Sequence, residues 1–262
     1  MIPSAYITQW ANFVPWQTNE QVEQDLVISR ALVEIFSDEF LRERLAFRGG
    51  TALHKLYLDP QSRYSEDIDL VQIKPEPIKE TLSRLQSRLE FLGLASVIQK
   101  RDNNTLKFRF ESEIPPVQPL RLKVEINCRE HFNVMGLREF PFSMDSDWYS
   151  GDVDILTYEI EELLGTKLRA LYQRRKGRDL YDLYRAYHKT NPDSETIVEI
   201  YRKYIAFSVN KPPTQRQFLQ NLESKMQDAE FLGDTQALLR PTGLYDAQAA
   251  FDLVKDELVS KI

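Results

Sequence analysis

Asp67 and Asp69 stand two residues apart in Ser65-Glu66-Asp67-Ile68-Asp69-Leu70. Asp67 to Ile73 alternates: Ile68 and Leu70 point one way, and Asp67, Asp69 and Val71 point the other. On such a strand the two carboxylates share one face, with Cα atoms about 6.6 Å apart. When both are ionised they repel, and a divalent cation between them removes that penalty. Glu125 occupies the exposed phase of another predicted strand, in which Leu122, Val124 and Ile126 alternate with Lys123, Glu125 and Asn127. If the two strands are neighbours, three carboxylates converge. That donor set suits one or two Mg²⁺ ions bridging the phosphates of a nucleotide. Asp-x-Asp on a wet strand face is more often plain solvated surface, so the pair gains meaning only from its surroundings.

Gly49-Gly50-Thr51 lies between a short apolar run, Leu45-Ala46-Phe47-Arg48, and a short predicted helix, Ala52 to Leu58. Glycines let a backbone approach a phosphate closely, and the free N–H groups of a helix start favour an anion. Thr51 adds a hydroxyl. The spacing matches neither the Walker nor the Rossmann pattern. Further on, Lys167, Arg169, Arg174, Arg175, Lys176 and Arg178 follow one another with no acid among them. At about 100° per residue, Lys167, Arg174 and Arg178 share a narrow arc on a continuous helix, which Gly177 would interrupt. The run reads equally as a solvated helix end or as a clamp on triphosphate or a nucleic-acid backbone. Asp179 and Asp182, one turn apart, read either as a cap and first-turn acid, or as a general base or an orienter of Lys167. His54, His131 and His188 show no metal-ligand spacing and read as polar surface or capped turns, and Cys128 as a small packed residue.

The elements that must position these residues follow from the apolar pattern. Met1 to Gln17, with Tyr6, Trp10, Phe13 and Trp16, reads as a strap or short helix over the body. Thr18 with Gln21 has capping-box spacing and opens a helix to about Phe40. Pro75 and Pro77 start a helix to about Leu92, with Ile78, Leu82, Leu85, Leu89 and Leu92 on one face. Leu106 to Phe110 and Leu122 to Ile126 are joined by a connection short enough for an antiparallel pair. Phe132 to Asp154 reads as loop. Beyond Tyr158 the pattern is helical, with further helices expected over Ser194–Phe207, Thr214–Ala229 and Asp246–Ile262. A boundary is therefore placed at 154/155, with a mixed α/β part before it and a helical part after it.

Composition narrows the function classes. The 262 residues include 42% hydrophobic and 11% aromatic side chains, enough for a real core. Lys and Arg total 34 against 40 Asp and Glu, a net charge of −6, which excludes a uniformly basic nucleic-acid coat but not a local patch. A single cysteine excludes an internal disulfide and a cysteine-built zinc site. No run of about 18 apolar residues spans a membrane, and the N-terminus lacks a secretory pattern, so a soluble cytoplasmic protein is expected.

Three stretches together resemble a known family: Phe47-Arg48-Gly49-Gly50-Thr51-Ala52-Leu53-His54-Lys55-Leu56, Arg63-Tyr64-Ser65-Glu66-Asp67-Ile68-Asp69-Leu70, and Thr166-Lys167-Leu168-Arg169-Ala170-Leu171 with Lys176-Gly177-Arg178-Asp179-Leu180-Tyr181-Asp182-Leu183. They are similar to the AbiEii/AbiGii nucleotidyltransferase toxins of abortive-infection and toxin–antitoxin systems, over roughly residues 20 to 190. The resemblance implies an α+β fold: a polymerase-β-like nucleotidyltransferase core, a small mixed sheet flanked by helices, over 1–154, and a helical C-terminal domain over 155–262. It implies Mg²⁺-dependent transfer of a nucleoside monophosphate from NTP to RNA, with the tRNA 3′ acceptor end as the expected site, and a cognate antitoxin encoded nearby. Gly49, Gly50, Thr51 and Ser65 match the phosphate-binding motif, with Arg178 joining them at the nucleotide. Asp67 and Asp69 match the metal ligands, Lys167 the helical lysine and Asp179 the acid of the Arg-Asp motif. The motif here is Gly-Gly-Thr rather than the Gly-Ser of the wider superfamily. Glu125 would be the third metal carboxylate where an Asp is more usual. The alternatives are a transferase acting on a protein or small molecule, and a catalytically silent binding module.

Overall fold

The computed structural model describes residues 2–262. Near the N-terminus, α1 (Ser4–Trp10) lies against α2 (Asn19–Phe36), and Ile2, Ile7, Trp10, Val14 and Trp16 are buried. This is the expected strap, except that Met1 lies outside the described residues. Thr18 caps α2 by accepting from the Gln21 N–H, but the Gln21 side chain accepts from Gln17 rather than Thr18, so the box is only half closed. The predicted run to Phe40 breaks at Ser37, and a single turn, α3 (Glu39–Arg42), restarts on the Asp38 cap.

Seven strands form one mixed sheet. They are β1 (Leu45–Arg48), β2 (Asp67–Gln72), β3 (Ser96–Gln99), β4 (Asn103–Glu111), β5 (Pro119–Asn127), β6 (Leu137–Ser146) and β7 (Tyr149–Tyr158), in the order β3-β4-β5-β2-β1-β7-β6. β4 and β5 pair antiparallel, as expected, with Leu106 opposite Val124. β2 pairs antiparallel with β1 and parallel with β5. The alternating apolar positions Ile68, Leu70, Leu106, Phe108, Leu122, Val124 and Ile126 join α2 in one buried cluster. The opposite phase carries Asp67 and Asp69 on β2 and Lys123 and Glu125 on β5, with Val71 at the far end of β2 buried. α5 (Lys79–Arg88) and a further turn, Glu90–Leu92, bury Leu82, Leu85, Leu89 and Leu92 as the pattern predicts.

Residues 132–154 are not loop: most of them form the β6–β7 hairpin. Pro141 and Gly151 disguise it in the sequence, yet a proline without N–H is tolerated on the outermost strand, and β6 is that strand. β7 continues through position 154 to Tyr158 and pairs parallel with β1 at Phe47 and Thr157. Helices then dominate: α6 (Ile160–Gln173), α7 (Gly177–Thr190), α8 (Ser194–Ser208), α9 (Gln215–Lys225), α10 (Ala229–Gly233) and α11 (Ala247–Glu257). α4 (Gly49–Ala52), which widens to π geometry over Leu53–Tyr57, precedes β2 and sends Leu53 and Leu58 into the helical cluster. α6 and α8 approach at Gly165, where a Cβ would collide with the Ile200 side chain. No helix among the described residues is long and apolar enough to cross a membrane.

Candidate active site

The glycine turn is built around the carboxylates. β1 ends at Arg48, which is in register with Asp69, and the helix starts directly at Gly49 with φ +81°. A side chain on Gly49 would overlap the Asp69 carboxyl group, and one on Gly50 would meet the Arg63 guanidinium and approach Ser65 Oγ. The two glycines therefore make room for the site's own side chains. Thr51 is buried; its Oγ1 lies 2.8 Å from Ser65 Oγ and donates to the Asp67 carbonyl, tying the turn to β2.

Asp67 and Asp69 share one face of β2, as expected, and the parallel register places Lys123 beside Asp67 and Glu125 beside Asp69. Lys123 alters the expected carboxylate trio. Its Nζ lies 3.3 Å from Asp67 Oδ2 and 2.8 Å from Glu125 Oε1, so an ammonium bridges two of the three acids. Among the described residues no group of three His, Cys, Asp or Glu side chains is assembled to hold a metal ion. Glu125 is near the pair but is turned to Lys123. Burial, with the Glu66 and Asp69 charges, pushes the Asp67 carboxyl up to about 6 against the pull of Lys123. Burial first and Glu125 second also raise Asp69, against Arg48, Lys167 and Arg174. Ionised, the two half-buried carboxylates on β2 are thus poorly solvated, a condition a bound divalent cation relieves.

Opposite the acids, α6 presents Lys167, which is nearly buried. Its Nζ lies 3.2 Å from Asp179 Oδ1 and 2.8 Å from Asp182 Oδ2. Arg174 grips both oxygens of Asp179, at 2.6 and 2.7 Å. Arg63 grips Asp182 in the same two-pronged way, at 2.6 and 2.7 Å, and His54 Nε2 lies 2.9 Å from Asp182 Oδ1. Burial opposes ionisation of Asp179, but Lys167 and Arg174 outweigh it and hold the carboxyl below its ordinary range. Burial is likewise outweighed at Asp182, where Arg63 and Lys167 hold the carboxyl far below that range. Neither acid is free to accept a proton. Asp179 is not a helix cap either, because α7 opens on Lys176 and the Arg178 N–H is received by Asp234. Its geometry is that of an orienter of Lys167 and Arg174. His54 is fully buried, not surface, and burial with the nearby Arg63 charge lowers it to about 4. Neutral, it donates from Nε2 to Asp182. His131 approaches the Gln72 carbonyl and His188 packs on the Tyr184 ring.

These groups line a cavity of about 200 Å³ that includes Gly50, Ser65, Asp67, Asp69, Lys123, Glu125, Lys167, Arg174 and Arg178. Gly49 and Thr51 are not among its lining residues. The helix is interrupted, close to Gly177 as the sequence allows: α6 stops at Gln173, Arg174 is extended, and α7 restarts at Gly177, where the Phe231 carbonyl backs directly onto the Cα. Lys167, Arg174 and Arg178 converge through this break rather than along one helix face. Most of the basic run is neutralised, Arg169 by Glu130, Arg175 by Asp228, and Lys176 and Arg178 by Asp234. Sequence reasoning missed Arg63 and Lys123 as members of the site, and Leu238, which reaches the cavity from far along the chain. A larger cleft of about 700 Å³ lies between α2 and α5, where Arg84 and Arg88 are turned to Asp38. Its acids Glu34, Asp38 and Glu90 and its cations Arg30, Arg84 and Arg88 lie apart from the glycine turn and from the Asp67–Asp69 pair.

The donor set of the cavity fits a hard divalent cation. Two partly buried carboxylates with raised proton affinity share a face, and a third is within one strand. The comparisons agree with the fold. MenT4, a nucleotidyltransferase toxin from Mycobacterium tuberculosis H37Rv, superposes with a TM-score of 0.62 at 16% identity, covering 100% of this chain and 91% of its own. JHP933 from Helicobacter pylori gives 0.58 at 18% identity, covering 92% and 90%. Among curated proteins, none matches the sequence. The family model described as nucleotidyl transferase AbiEii toxin, type IV toxin–antitoxin system, matches residues 30–256. With a match over that much of its length, the chain belongs to the AbiEii nucleotidyltransferase toxin family.

Proposed function

We propose that the cavity binds an NTP with Mg²⁺ and transfers its nucleoside monophosphate to a hydroxyl of RNA, with the tRNA 3′ acceptor end as the expected site. The observation that carries this reading is the placement of Asp67 and Asp69 side by side, beside the glycine turn and facing Lys167 in one polar cavity. Asp67 and Asp69 would hold the cation, with Glu125 able to join once it leaves Lys123. The cation, when bound, neutralises phosphate charge and polarises the α-phosphorus. Gly50 lets the chain approach the phosphates without a side chain in the way, and Ser65 and Arg178 bind them from the rim. Lys167, immobilised by Asp179 and Asp182, aims a fixed positive charge where negative charge grows as the acceptor oxygen bonds to phosphorus and pyrophosphate departs. Arg174, fixed by Asp179, acts in the same direction. The family places the protein in a type IV toxin–antitoxin system, and an antitoxin encoded nearby is the partner this reading requires.

Incubation with tRNA, Mg²⁺ and radiolabelled NTPs is expected to label RNA. Asp69→Asn should reduce labelling by about 100-fold or more, as loss of a centre of charge stabilisation does. Label on protein instead of RNA would shift the reading to a protein-modifying transferase. Undiminished labelling by Asp69→Asn would refute the site.

A further inference from the structure

We propose that the open face of β4 and β5 is the track on which the RNA acceptor lies, with Lys107, Arg109 and Arg121 contacting its phosphates. The register puts Arg109 opposite Arg121 and Lys107 opposite Lys123. These four cations share one phase of the two strands, because the intervening residues Leu106, Phe108, Phe110, Leu122 and Val124 are all buried on the other side. Two like-charged pairs therefore stand side by side; Lys123 is shared with Asp67 and Glu125, but Arg109 and Arg121 face each other uncompensated, an arrangement that destabilises a sheet. An isolated sheet gains nothing from it. A polyanion laid across the strands does, because it removes the repulsion and releases its own counterions.

The stripe is continuous with the cavity. Lys123 is both its innermost member and a wall residue of the site, one strand from Asp67 and Asp69. Neighbouring strands are about 4.8 Å apart, so Lys107 on β4 lies about two strand spacings from those acids. Arg109 and Arg121 are exposed, and among the described residues none of Lys107, Arg109 and Arg121 has an ion-pair partner. Glu111, next in the same phase of β4, lies beyond Arg109 at the end of the strand. The contrast with Lys167–Arg178 decides the assignment: that run is denser in the sequence, but its cations are turned to Asp179, Asp182, Glu130, Asp228 and Asp234. Of these two basic groups, the one on the sheet, Lys123 apart, is left unneutralised. A single-stranded RNA end fits this face, because its backbone can follow the cations while its terminal hydroxyl enters the cavity.

The inference rests on RNA being the acceptor, and the test separates the two. Binding of a short fluorescein-labelled single-stranded RNA with a free 3′ hydroxyl is followed by anisotropy over a salt series. The wild type is compared with K107Q/R109Q/R121Q and with K79Q/K189Q/K211Q, which removes three exposed cations elsewhere. The stripe variant should bind about tenfold or more weakly, and the slope of log K against log salt should be shallower by about 2, three contacts at about 0.7 each. The control variant should keep the wild-type slope. Thermal melting of the stripe variant should be at or above the wild-type midpoint, since it loses repelling pairs and no partner. Wild-type affinity and slope in the stripe variant would overturn the track while leaving RNA as acceptor. Failure of the wild type to bind RNA, with label appearing on protein, would overturn both.

Discussion

Gly49 shows what a single residue does here. Its φ of +81° is costly for any side chain, and the Asp69 carboxyl group occupies the space a Cβ would need. Gly49→Ala is expected to cost about 1–3 kcal/mol of stability from the backbone alone. It should also displace Asp69, so residual transfer in the folded variant should fall more than the melting shift explains; a variant with full activity would show that Asp69 tolerates displacement. Lys123 is the second such residue, because its ammonium stands between Asp67 and Glu125. Lys123→Gln removes a cation that competes for those oxygens. Mn²⁺ binding without nucleotide, read by electron paramagnetic resonance, is expected to tighten by about tenfold. Unchanged affinity would mean that the lysine and the metal do not compete. The Asp-x-Asp pair was legible because period-2 alternation places both side chains on one face. Lys123 was not, because its role depends on which strand lies beside β2.

At the scale of elements, short strands and helices are locked to one another by buried charge. Glu130 bridges Arg48 at the end of β1 and Arg169 on α6. Burial disfavours its charge, but the two guanidiniums prevail and bring the carboxyl from 4.5 down to about 2. The folded chain therefore takes up this proton less readily than the unfolded one. The resulting stability, about 3 kcal/mol, is complete above about pH 4.5 and is lost as pH falls toward about 2. Comparing Glu130→Gln with wild type by denaturant unfolding should give a gap that is widest near neutrality and narrows across that window; a gap constant with pH would assign the loss to packing. The helices α8, α9 and α11 start where the sequence placed them, at Ser194 and just after Thr214 and Asp246, whereas α10, which restarts on the Asp228 cap, was not legible. The β6–β7 hairpin was not, since the tolerance of Pro141 depends on β6 being an edge.

Over the whole molecule, two apolar clusters interlock rather than abut. Leu53 and Leu58, which precede β2 in the chain, pack in the helical cluster, while Leu163 of α6 packs in the sheet cluster and its neighbour Leu164 in the other. The cavity lies where they meet, with Asp67 and Asp69 from the sheet and Lys167 from the helices. Unfolding should therefore be one cooperative transition, with near-ultraviolet and far-ultraviolet circular dichroism melting together; two separated transitions would show that the sheet and the helices fold independently. The segment from Thr235 to Leu239 adds to this closure: Gln17 holds the carbonyls of Gln236 and Leu239, and Gln21 that of Ala237.

The sequence by itself determined the carboxylate pair, the glycine turn, most helices and the antiparallel β4–β5 pair, because each depends on neighbours within a few positions and on the periodicity of one element. Tertiary structure alone decided that Arg63 would fix Asp182 from 119 residues away and that a broken helix would still bring Lys167, Arg174 and Arg178 together. It also decided that the free positive charge would lie on the sheet rather than in the basic run. Charge is neutralised by whatever acid lies nearest in space, and that distance is set only once the chain has packed.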